Sequence, residues 1–79
     1  MDHFTAGISR PGSPLLEQAE VHCLFDGSFY FHAPRAMFEE GERIVIIPEL
    51  ETSFPVMVKI QSDTSDPLLM RVMCVRVRL

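Results

Sequence analysis

The residue types able to do chemistry in this chain of 79 residues are few and scattered. His3, His22, His32, Cys23 and Cys74 are the potential metal ligands. No two of them follow a CxxC or HxxxH spacing, so they read as surface or core-edge histidines and structural thiols, with no metal site. A nucleophilic Cys23 would need a nearby base and a positive, partly exposed setting. Between His22 and Leu24, inside a strand-like run, it reads instead as a buried structural thiol. Glu39, Glu40 and Glu42 crowd around Gly41 and could act as an acid pair, but a solvated turn explains them more simply. No glycine-rich phosphate loop is present. With no acid–base or nucleophile pair left standing, the chain reads as a non-enzyme that needs no cofactor.

Binding residues are better represented. Phe29, Tyr30 and Phe31 precede Arg35 and would make a stacking platform. At strand spacing, though, Phe29 and Phe31 point to the core, which leaves Tyr30 as the exposed ring. Arg76 and Arg78 share one face of the last apolar run. They suit an anion, a phosphodiester or an acidic partner, and a basic edge strand that resists aggregation explains them as well. Tyr30, Arg35, Arg76 and Arg78 are therefore the candidate partner-binding residues.

The bulk numbers bound what these residues can serve. A hydrophobic fraction of 47% suffices for a globular core, and a net charge of −4 argues against nucleic acid as partner. No apolar run reaches the ~18 residues of a bilayer span, so membrane insertion is not expected. Two widely spaced cysteines and no leader-like start point to reduced thiols and a cytoplasmic protein. Residues 1–14, with Gly7, Pro11, Gly12, Ser13 and Pro14, have the composition of a flexible N-terminal tail. Residues 15–79 would then be a single domain.

Five strands are expected to position these groups: residues 19–25, 28–33, 42–47, 54–61 and 69–79. Asp26-Gly27 suggests a two-residue type I′ hairpin turn, since both positions of that turn take positive φ. That register pairs Cys23 with Tyr30 and sets His22 and His32 on opposite faces. Residues 54–61 alternate cleanly, with Phe54, Val56, Val58 and Ile60 on one face. Five strands leave exposed edges unless the sheet closes. The expected fold is therefore all-β, a small antiparallel β-barrel of five to six strands. An exposed last strand would also allow a homodimer paired across a two-fold axis.

From Asp26 onward the chain resembles the PilZ domain, a bacterial six-stranded β-barrel family whose usual members bind cyclic di-GMP. The residues that carry the resemblance are Asp26-Gly27-Ser28, the Pro34-containing connection, Gly41-Glu42 and the apolar strands that follow. By that resemblance Arg10, Asp26, Ser28 and Arg76 would be the ligand-binding residues. The family's Arg-x-x-x-Arg pair is missing, since only Arg10 lies before residue 19, and Phe31 stands where its turn motif closes on glycine. A doubly anionic dinucleotide needs guanidinium pairs. The resemblance thus implies a divergent member, a regulator or adaptor working through protein–protein contacts with weak or no cyclic di-GMP binding. A cyclic di-GMP receptor and an unrelated small β inhibitor module remain the alternatives. Apolar residues such as Met37, Phe38, Met57 and Leu69 are expected at the surface of so small a barrel.

Overall fold

The computed structural model describes residues 3–10 and 13–77. Six strands run β1 His3–Arg10, β2 Ser13–Cys23, β3 Phe29–Pro34, β4 Arg43–Pro48, β5 Phe54–Asp63 and β6 Leu69–Arg76. They pair antiparallel around a closed barrel in the order β1-β2-β3-β6-β5-β4. Among the described residues there is no helix, and so none long and apolar enough to cross a membrane.

Period-two alternation builds the wall of the barrel. Ala6 and Ile8 of β1, Ala19 and Val21 of β2, and Phe29, Phe31 and Ala33 of β3 point inward. Ile44 and Ile46 of β4, Val56 and Val58 of β5, and Val72 and Cys74 of β6 complete the lining, and all are buried. Phe38, from the connection after β3, enters the same core. Phe31 is fully buried, with its ring edge-on to Phe38 at 5.6 Å. Burial pushes the Cys74 thiol up to about 12, which leaves it protonated and inert.

Several expectations change here. The stretch read as a tail contains β1, which pairs with β2 on one side and with β4 on the other. Backbone pairing decides this stretch, because two neighbours satisfy its amides despite the turn-like composition around it. The first hairpin is offset by one residue from its expected register: His22 pairs with Tyr30 and Cys23 with Phe29. Its turn takes three residues, with Gly27 N–H bonding Leu24 O and Leu24 N–H bonding Ser28 O. Gly27 has φ +85° while Asp26 stays at negative φ, so this is a type I turn closed by a glycine bulge and not a type I′ turn. The offset turns His22, Tyr30 and His32 to one outer face. In β5 a bulge between Val58 and Ile60 rotates Ile60 outward, half exposed, where unbroken alternation would bury it. The last strand is no edge, since β6 lies between β3 and β5. Pairing of an exposed last strand across a two-fold axis therefore has no structural basis here. Phe38, expected at the surface, is buried.

Phe31→Ala should cost about 3–5 kcal/mol in urea unfolding. That is a large part of the roughly 4–12 kcal/mol expected for a chain of this size. A loss below about 1 kcal/mol would contradict its central place in the core.

Candidate functional site

The barrel has two ends, and each carries an arginine over an aromatic ring. Both arginines follow the inward phase of their strands but lie one step beyond the core. At one end Arg10 extends the Phe4, Ala6, Ile8 series and lies 5.7 Å from the Phe38 ring centroid. Its Nε donates to Glu42 Oε2 and its Nη2 donates to the Met37 carbonyl. Glu42 Oε1 also accepts the Glu39 N–H at 3.0 Å, and Gln61 Nε2 donates to the Phe38 carbonyl at 2.8 Å. The β5 bulge is what turns Gln61 toward that carbonyl. These bonds knit residues 37–42 into a plug. The Arg10 hydrogen bond holds the Glu42 carboxyl below its ordinary value, against an opposing push from burial, and the same bond raises Arg10.

The other end is an open mouth. Phe4, Phe29 and Phe54 meet there, with centroids 6.5 Å apart for Phe4–Phe29 and 5.3 Å for Phe29–Phe54. Arg76 caps them at 4.0 Å from the Phe54 ring and 5.6 Å from Phe29, in cation–π range. Beside them an open groove of ≈ 290 Å³ is lined by Phe4, Thr5, Pro48, Glu49, Leu50 and Glu51. The turns carrying Phe25 and Leu50 flank this mouth, and both side chains are exposed almost completely.

The outer wall carries a third group. His22 stacks on Tyr30 with centroids 4.6 Å apart and 7° between planes, and His32 meets Tyr30 edge-on at 5.8 Å. Arg71 lies 4.7 Å from the Tyr30 centroid. Thus Tyr30 is outward as expected, but a neighbouring strand's arginine covers it.

The predicted site residues do not gather in one place. Arg10 lies in the plug; Asp26, Ser28 and Arg76 lie at the mouth. The Asp26 carboxylate accepts both the Ser28 N–H, at 3.0 Å, and the Ser28 hydroxyl. Those bonds close the turn and hold Asp26 below its ordinary value, the hydroxyl contributing most. Among the partner candidates, Arg35 is at the plug end, bonding the Pro67 carbonyl at 2.9 Å and Asp63 at 3.0 Å. Arg78 lies outside the described residues. Phe4, Thr5, Glu49, Leu50, Glu51 and Arg71 were not singled out from sequence. The signal for Phe4 was there, since His3 and Thr5 alternate with Phe4, Ala6 and Ile8.

A scan of protein-family models gives no match to this chain, and neither curated proteins nor solved structures give one.

Glu42 and Asp26 both sit below their ordinary values of 4.5 and 3.8. The stability they contribute is complete above those values and is lost as pH falls through each lowered pKa. Acid titration followed by circular dichroism should show stability declining below about pH 4.5. Glu42→Gln should be less stable at pH 7 and should lose less on acidification. An unchanged acid profile in that variant would contradict the role of the Arg10–Glu42 pair.

Proposed function

We propose that this chain is a non-enzymatic, PilZ-like adaptor that holds a partner protein at the mouth of its barrel and binds cyclic di-GMP weakly or not at all. The observation that carries the reading is the groove between Phe4, Pro48 and Leu50, with Glu49 and Glu51 along it. Its ≈ 290 Å³ falls at the lower bound of small-molecule sites, which run about 300–1,000 Å³. That volume suits one or two inserted side chains better than a cyclic dinucleotide. Two carboxylates beside an apolar groove favour a segment with an apolar residue next to Lys or Arg. Leu50, 95% exposed, and Phe25 at the same end supply anchors of the kind that concentrate binding energy.

The weak-nucleotide half rests on Arg10. Its guanidinium already serves Glu42 and the Met37 carbonyl, so a ligand phosphate would have to displace a carboxylate. Arg76 lies at the other end of the barrel, so the two arginines cannot grip one phosphate pair. A closed six-stranded barrel is what the PilZ resemblance implies for the fold. Fold alone carries no activity, so the functional reading stands on the mouth.

Selection from a random peptide display library on the immobilised chain should enrich peptides with an apolar residue beside Lys or Arg. Their amide shifts should map to Phe4, Thr5 and residues 48–51. Leu50→Asp and Glu51→Lys should each weaken them by at least tenfold, about 1.4 kcal/mol. Enrichment without that motif, or shifts centred on Tyr30 and Arg71, would count against the mouth. Saturable shifts at Asp26, Ser28 and Arg76 on adding cyclic di-GMP would favour a nucleotide receptor instead.

A further inference from the structure

We propose that His3, Glu20 and His22 form a binding site for a divalent transition-metal ion, zinc-like in its ligand preference, on the outer face of the β1–β2 ladder. This site adjoins the groove through Thr5, which pairs with Glu20, but it does not rest on the adaptor reading.

The ladder register creates it. His3 pairs directly with His22, and Thr5 pairs with Glu20. Glu20 and His22 are two apart on one strand, so they share a face, and His3 projects from the neighbouring strand onto that face. The ligand atoms of all three lie within 4.8 Å of one another. His3 Nε2 is 3.6 Å and His22 Nε2 is 3.5 Å from the same oxygen, Glu20 Oε1. Ligands at the usual zinc distances of about 2.0–2.1 Å, arranged tetrahedrally, stand about 3.4 Å apart. The two nitrogen–oxygen separations are therefore close to the edge of a coordination tetrahedron. The rings of His3 and His22 lie 5.5 Å apart, and their ligand atoms, within 4.8 Å, would close the third edge on binding.

The donor chemistry agrees with the spacing. Two imidazoles and a carboxylate form the three-ligand set of open zinc sites, with the fourth position left to water or to a donor from outside the chain. Both imidazole Nε2 atoms converge on one carboxylate oxygen, which brings two nitrogen donors and one oxygen donor together. His22 is also held in place: its ring stacks on Tyr30 at 4.6 Å, which restrains the direction of Nε2. His32 stays out of the set, with Tyr30 standing between it and His22.

A metal here would tie β1 to β2. Binding to the folded chain alone raises thermal stability with the logarithm of free metal over Kd, and the rise continues above saturation.

The test is titration of the chelator-stripped full chain with zinc chloride alone, read by histidine ring NMR and by thermal melting. The expected result is saturation at one equivalent, with His3 and His22 ring signals moving together, His32 unmoved and the melting temperature raised. His3→Asn, Glu20→Gln and His22→Ala should each weaken binding by at least about tenfold, the loss that even a supporting partner of a ligand produces. His32→Ala should leave binding unchanged. All four positions face outward, and retained amide dispersion would show that each variant folds. No saturable binding would overturn the proposal. So would undiminished binding in His22→Ala or Glu20→Gln, or shifts centred on Cys23.

Discussion

The pairing of β1 with β4 is the constraint on which the rest of this molecule depends. Four residue pairs, Ala6–Pro48, Gly7–Ile47, Ile8–Ile46 and Ser9–Val45, join the first strand to the fourth and turn an open sheet into a barrel. Without them, β1 and β4 would each present a free edge, and Ile8 and Ile46 would lose cover. For a chain this short, which buries only ~60% of its unfolded surface, an open sheet would leave little margin. Three of the surfaces described above also use β1: Arg10 locks the plug, Phe4 lines the groove, and His3 completes the histidine–carboxylate triangle.

The two arginine caps show how one strand pattern serves two purposes. Inward-phase positions carry Ala, Val, Ile and Phe while they are inside the barrel. One step beyond, the same phase carries Arg10 at one end and Arg76 at the other. Each guanidinium lies over a ring that would otherwise meet water. The ends differ in what surrounds the cap. The plug side satisfies Arg10 with Glu42 and a carbonyl, which fixes it. The mouth side leaves Arg76 over Phe54 and Phe29 beside a groove lined by Glu49 and Glu51. A closed end and an open end follow from where the carboxylates stand.

Much of the fold was legible in the sequence. Alternation in residues 54–61, which holds as far as the bulge before Ile60, and the apolar run of residues 42–47 marked the wall, and the need to satisfy sheet edges pointed to a barrel. What escaped depended on pairing partners, which a local reading does not see. The Gly and Pro in and around residues 3–10 mask the alternation of His3, Phe4, Thr5, Ala6 and Ile8. Asp26-Gly27 by itself suggests a two-residue turn for the first hairpin. A glycine bulge with Asp26 bonded to Ser28 takes three residues, and that single residue moved His22 beside Tyr30. The cross-strand proximity of His3 and His22 comes from the β1–β2 register, so it has no spacing in sequence. Likewise the bulge in β5 exchanged Ile60 for Gln61 on the inner phase, which alternation alone would not reveal.

Native-state hydrogen exchange of the β1 amides tests the central claim most directly, because it reads closure of the barrel without altering the chain. If β1 closes the barrel, hydrogen-bonded amides within residues 6–9 exchange in the slow class, together with those around Val58 and Val72, through opening of the whole domain. If those amides exchange at the rate of a free peptide while β3, β5 and β6 stay protected, the barrel is open at β1. The plug, the groove and the His3–Glu20–His22 triangle would then all lose their support.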